Sequence, residues 1–253
     1  MNKTRTSDVM QSRETSYFEH FVSRQPRIDR RRRILHPPLR VLSSIPWDIK
    51  ATGLEHIPAS GPTLLMMNHI TFIDPIIFTA VVRKRFVISM AKAETLESWF
   101  LRGVVRLWGN FVVNRDEVDR MALTNAIDLL KDNRVLLIAP EGTRNPQGMQ
   151  EPKAGVSYIA HKAQAVIVPA AIGGAQGWEQ DLKRLHRKQI RVNFGKPFHF
   201  QLPVGERLSR EVREAMIHEA MYQLALAMPE EYASNRGIFS NIENATTRYL
   251  HFL

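Results

Sequence analysis

PTLLMMNHITFIDPIIFTAVVR, residues 62–83, changes character in the middle. The run 62–68 is short, apolar and begins at a proline, and it reads as a buried strand. Residues 75–83 begin at a second proline, a good first helical residue, and read as a helix. His69 then stands just past the C-terminal end of a strand, where open α/β sheets place their ligands. Pro75 disfavours the helical region for the residue before it, which makes Asp74 the expected N-cap. Five residues at about 100° each would leave His69 and Asp74 roughly 140° apart around one helix. They meet only if 69–73 form a tight loop that folds the imidazole over the helix start. A carboxylate on one ring nitrogen would fix the tautomer and leave the other nitrogen free as a base. A helix-capping aspartate with an incidental loop histidine fits the same letters.

Outward from this unit, strand and helix patterns alternate. Expected strands are 47–52, 62–68, 86–90, 110–113, 135–139, 166–172 and 189–194, with helices near 75–83, 94–107, 116–132, 154–163 and 209–228. Leu123, Ala126, Ile127 and Leu130 form the clearest helical stripe, preceded by Asp116, Glu117 and Asp119 at its positive end. The alternation predicts an α/β fold, a single domain with a mostly parallel mixed sheet flanked by helices. A basic amphipathic element (1–46) precedes the domain (47–228), and a polar tail (229–253) follows it.

The 253 residues carry a formal charge of +10 and no cysteine. Disulfides, thiolate metal sites and cysteine nucleophiles are excluded, and an anionic partner is indicated. Residues 1–50 hold 11 basic and 5 acidic residues, densest at Arg30, Arg31, Arg32 and Arg33. Tyr17, Phe18, Phe21 and Val22 suggest an aromatic helix face, and Pro37-Pro38 the start of a second short helix carrying Leu39, Val41, Leu42 and Ile45. Apolar groups beside arginines suit a surface helix at a lipid interface. Neither a secretory signal nor a clean apolar span of about 20 residues is visible. The arginine-rich arm has no recognition helix or stacking platform beside it, so nucleic acid is not an expected partner. IGGAQG, 172–177, lacks the spacing of a dinucleotide loop.

Two further stretches sit at expected strand ends. In APEGTRNPQG, 139–148, Gly142 permits close backbone approach, Thr143 offers a hydroxyl and Arg144 a fork for phosphate. GNFVVNR, 109–115, ends at Arg115, a second phosphate ligand or a partner for Asp116 or Glu117. Asn68-His69 to Asp74, Gly109 to Arg115, Glu141-Gly142-Thr143-Arg144, and Val168-Pro169-Ala170 follow in that order. Together they resemble the four blocks of the lysophosphatidate (1-acyl-sn-glycerol-3-phosphate) acyltransferase family of glycerolipid acyltransferases. The resemblance covers roughly 38–200. Phe111 stands one position earlier than in many members, and Pro152-Lys153-Ala154-Gly155 departs from the usual F-K-x-G, which leaves the role of Lys153 open.

The resemblance implies an O-acyltransferase that passes an acyl chain from acyl-CoA or acyl carrier protein to the sn-2 hydroxyl of lysophosphatidate, without an acyl-enzyme. It implies His69 as the base, oriented by Asp74, with Asn68 beside them. Arg115, Gly142, Thr143 and Arg144 would hold the acceptor phosphate. Glu141 would orient an arginine or bind a glycerol hydroxyl, and Pro169 would shape a strand end near the site. No metal or cofactor is expected beyond the donor, and the protein is expected to lie peripherally on the cytoplasmic face of a membrane. Glycerol-3-phosphate, another lysophospholipid or a lyso-aminolipid are alternative acceptors. A catalytically inactive membrane scaffold is the alternative from another class.

Overall fold

Thr63–Met67 is buried at every residue, as a strand covered on both faces must be. Its side chains alternate between two cores: Leu64 and Met66 enter one apolar cluster, Leu65 and Met67 the other. The structure, a computed structural model, describes the backbone of residues 3–92, 99–113 and 120–253. Side chains are described for these except 3–22, 91–92, 99–101, 104, 106, 111–113 and 120–121.

The strands are β1 (Trp47–Thr52), β2 (Thr63–Met67), β3 (Val87–Lys92), β4 (Phe111–Val113), β5 (Val135–Ile138), β6 (Val166–Gly173), β7 (Lys188–Phe194), β8 (Phe198–Phe200) and β9 (Leu250–Phe252). They form one sheet in the order β1-β7-β6-β2-β5-β3-β4, with β8 pairing β6 and β9. The central strands β2, β3, β4, β5 and β6 are parallel, β1 runs parallel to β7, and the β6–β7, β6–β8 and β8–β9 pairs are antiparallel. The helices are α1 (Lys3–Ser44), α2 (Asp74–Val81), α3 (Trp99–Trp108), α4 (Arg120–Lys131), α5 (Gly155–Lys162), α6 (Trp178–Lys183) and α7 (Arg210–Leu226). α2 covers the Leu65/Met67 face through Ile77 and Phe78. α4, α5 and α7 cover the other face through Leu129, Ile159, Met216 and Leu224. The mixed, mostly parallel α/β architecture is the one expected.

Three features differ from expectation. First, α1 continues through Pro26, Pro37 and Pro38 instead of restarting at 37. An interior proline costs a helix about 3 kcal/mol, and tertiary anchoring offsets it here. Arg32 is fully buried: Nε donates to the Trp108 carbonyl (2.8 Å), Nη2 to that of Gly109 (3.0 Å), and Nη1 to Gln25 (3.1 Å) and Asp29 (2.8 Å). His36 lies 3.0 Å from the Thr79 carbonyl. One arginine of the run is therefore a core anchor and not a lipid contact. The side chains of Tyr17, Phe18, Phe21 and Val22 lie outside the described residues.

Second, residues 229–253 do not stand apart as a tail. Phe239, Tyr249 and Leu250 enter the core, and β9 adds to the sheet through β8. Two core aromatics at wide spacing carry no periodicity to read. Third, Pro169 sits inside β6, opposite Met66, and not at its end. A residue's N–H and C=O point to the same side of a strand, and the Pro169 carbonyl accepts from Gly195 N–H (2.8 Å). The missing N–H therefore falls where β6 changes neighbours, from β8 at Ile167 to β7 at Ala170, so no ladder bond is lost.

Candidate active site

The C-terminal ends of β2, β5, β3 and β4 lie on one edge of the sheet, because these strands are mutually parallel. The chain leaves β2 through Asn68, whose buried side chain bonds the β6 backbone twice. Its Oδ1 accepts from Ile172 N–H (2.8 Å) and its Nδ2 donates to the Ile172 carbonyl (2.9 Å). This amide extends the β2–β6 join one residue past the ladder and fixes where His69 begins.

The loop 69–73 is tight, and it brings the pair together. His69 Nδ1 lies 2.9 Å from Asp74 Oδ2. The same oxygen accepts from the N–H groups of Ile70 (2.6 Å) and Thr71 (2.8 Å), and Oδ1 accepts from the Thr71 hydroxyl (2.7 Å). Asp74 is thus the first residue of α2, with Ile73 at the N-cap position. It caps the loop behind it and not the helix ahead, because the loop turns its N–H groups onto the carboxylate. The side chain of Asp74 is wholly buried while that of His69 is 18% exposed. An ionised carboxylate only accepts, so Nδ1 carries the proton and Nε2 is left with its lone pair.

The second loop follows β5 and is clipped to the first: Asn145 N–H donates to the His69 carbonyl (2.7 Å). Glu141 is buried at the junction. Its Oε2 accepts from the Asn145 amide and from Gln150 N–H (3.0 Å), and the His69 N–H bears on it as well. Burial raises its pKa, a shift held back by these three donors. Among the described residues its bonds are to backbone and amide donors and not to an arginine, and Oε1 has no hydrogen-bond partner there. Gly142 adopts a left-handed conformation (φ 68°). The Lys153 side chain lies over it, with Nζ 3.0 Å from where a Cβ would stand. Arg144 is exposed and lines a cavity of about 400 Å³ with Ile70, Thr71, Phe72, Gln176 and Trp178. Thr143 is half-buried beside it. Pro169 lies behind the site in the sheet. Arg115 lies outside the described residues.

Sequence reasoning missed Phe72, Gln176 and Trp178. The Gly-Gly turn after β6 and the left-handed Gly177 before α6 mark a chain reversal at the ligand edge, and these were the available signals. Among the described residues no three His, Asp or Glu side chains converge as a metal-ligand set.

Comparison with known proteins agrees with the motifs. The Acyltransferase family model matches residues 48–173. A 1-acyl-sn-glycerol-3-phosphate acyltransferase of Bacillus subtilis is 27% identical over 175 residues, 68% of this chain and 86% of that one. The enzyme of that name from Borreliella burgdorferi is 35% identical over 127 residues, 49% of this chain and 50% of its own. The chain thus spans most of the first relative's length and half of the second's. The crystal structure of PlsC, the 1-acyl-sn-glycerophosphate acyltransferase of Thermotoga maritima, superposes with a TM-score of 0.54, covering 84% of this chain and 93% of that one at 20% identity, a likeness of fold. The blocks, the fold and these relatives place the chain in the Acyltransferase family that includes the 1-acyl-sn-glycerol-3-phosphate acyltransferases.

Proposed function

We propose that the protein transfers an acyl chain from a thioester donor, acyl-CoA or acyl carrier protein, to the sn-2 hydroxyl of lysophosphatidate, giving phosphatidate. The observation that carries this reading is the His69–Asp74 pair at 2.9 Å, with Nδ1 committed to the carboxylate beside a cavity bearing Arg144. Nε2 takes the hydroxyl proton as the oxygen attacks the thioester carbonyl. The tetrahedral adduct then expels the thiolate, the C–S bond breaks, and the imidazolium returns the proton to sulfur. An alcohol is far less acidic than imidazolium, so proton transfer accompanies C–O bond formation, and such a base contributes about 10² to 10⁴-fold. Buried Asp74 stabilises the cation that forms on His69.

Arg144 is assigned to the acceptor phosphate, with Gly142 and Thr143 beside it and Arg115 joining by family resemblance. Lys153 brings a second cation to the same loop. Glu141 is assigned a positioning role, since its bonds hold the 69–74 and 141–150 loops together. The scheme routes no step through a metal or cofactor.

The protein is read as peripheral on the cytoplasmic face of a membrane. Support comes from Ile34, Val41 and Leu42 on one face of α1 and Ile45 in the turn just after it, all 62–71% exposed. None of the described helices is long and apolar enough to cross a membrane.

The test is acyl transfer in detergent with both donors and with lysophosphatidate or glycerol-3-phosphate as acceptor, for wild type and His69→Ala. Turnover on lysophosphatidate with a loss of about 10³-fold in the variant is the expected result. Equal turnover by both proteins would overturn the mechanism, and preference for glycerol-3-phosphate would overturn the acceptor. No transfer by wild type with any donor would favour an inactive scaffold.

A further inference from the structure

A groove of about 560 Å³ lies between α1, β1 and the C-terminal end of α2. This volume is in the usual range for a small-molecule site. Ile49, Ala51, Leu54 and Val81 form its apolar floor, and Arg40 and Arg83 its basic rim. The catalytic pair stands at the opposite end of α2, whose eight residues separate the two sites by about 10 Å.

Two independent observations point to an anionic amphiphile. The first is the state of the two arginines. Arg32, Arg134 and Arg191 each hold a carboxylate. Arg40 and Arg83 pair with no acidic group among the described residues. Both line the one groove, and both bear on the buried His36 ring beside it. The second is continuity. Val41 belongs both to the groove wall and to an exposed apolar surface that it forms with Leu42 on α1 and Ile45 just past it. Val41 therefore joins that surface to the apolar part of the groove, beside Ser43 and Ser44. A lone inorganic anion would leave the apolar floor unused, and a neutral lipid would leave the arginines unpaired.

We propose that this groove binds one molecule of an anionic phospholipid that is not the reacting substrate, with its phosphate between Arg40 and Arg83 and one acyl chain along Ile49, Ala51, Leu54 and Val81. The bound lipid bridges α1 to β1 and α2, so the membrane itself completes the seating of the N-terminal helix. The inference draws on the lipid setting of the proposed function but not on acyl transfer.

The test uses His36 as a local reporter in the full-length protein, because phosphatidate also fits the catalytic site. Its ring signal is titrated with pH by NMR, alone and with dihexanoyl phosphatidate, dihexanoyl phosphatidylcholine or inorganic phosphate. Burial first, and then the charges of Arg40 and Arg83, now lower the His36 pKa. A phosphate on the two arginines should raise it, saturably. Phosphatidylcholine and inorganic phosphate should leave it in place. Arg40→Gln/Arg83→Gln should abolish the response, and Ala51→Leu, which fills the floor, should weaken it. The proposal is overturned by no saturable shift with phosphatidate, by an equal shift with inorganic phosphate, or by an equal shift with phosphatidylcholine. None of these readouts depends on turnover, so failure here and failure of the catalytic assignment are separable.

Discussion

Asp74 concentrates four hydrogen bonds on two buried oxygens, and this explains how so short a spacing holds the pair proposed as catalytic. An asparagine amide in its place would keep one accepting oxygen and set a donor against the loop N–H groups. Asp74→Asn is therefore expected to lower kcat by about 10² to 10⁴-fold through loss of the His69 tautomer and orientation. It should also cost about 1–3 kcal/mol of stability, read by urea unfolding. Glu141 gives a pH prediction. Its folded pKa lies above the unfolded value, so the folded state holds the proton more tightly. The stabilising contribution is full below the unfolded carboxylate pKa and is lost as pH rises through the raised one. Between pH 4 and 8 the wild type should lose unfolding free energy relative to Glu141→Gln, which cannot titrate; a constant difference would refute the raised pKa. At this scale the sequence made His69 and Asp74 legible through their strand-end position. It could not show that Asp74 caps the loop, because which N–H groups face a carboxylate depends on how five loop residues turn.

At the scale of elements, α1 shows how a helix can be anchored by a residue of the most soluble kind. Gln25, Asp29, Arg32 and His36 follow one another at i, i+4, i+7 and i+11, a polar stripe on the face turned to the domain. The spacing was present in the letters. Four consecutive arginines, however, look alike until the helix phase selects the inward one. Removing one partner of a buried, bonded charge leaves the others unsatisfied. Arg32→Ala should therefore cost about 3–5 kcal/mol by urea unfolding, with Arg32→Lys restoring little, since an ammonium cannot reach both carbonyls as the planar fork does. An Arg32→Ala protein as stable as wild type would show that α1 is not held by this contact. The strands were legible for a simpler reason: runs such as TLLMM and VLLI are apolar at nearly every position, as only doubly covered strands are. β8 and β9 were not, being three residues each and defined by their partners.

Over the whole molecule, Ile34, Val41, Leu42 and Ile45 give the protein an exposed apolar surface suited to lipid. Leu42→Glu/Ile45→Glu should reduce co-sedimentation with anionic vesicles about tenfold. Both side chains are exposed, so the unfolding free energy should stay within about 0.5 kcal/mol of wild type. Unchanged co-sedimentation would move membrane contact elsewhere. The sequence alone determined the α/β class, seven of the nine strands and the family, and it offered His69 with Asp74 as a candidate pair beside a plain helix cap. Each of these rests on local periodicity or on short fixed spacings. Only the tertiary structure decided that Glu141 faces inward, that Arg32 is core, that residues 229–253 complete the sheet, and that Arg40 and Arg83 share a groove. Those facts join residues far apart in the chain, and burial and charge pairing exist only once such residues meet.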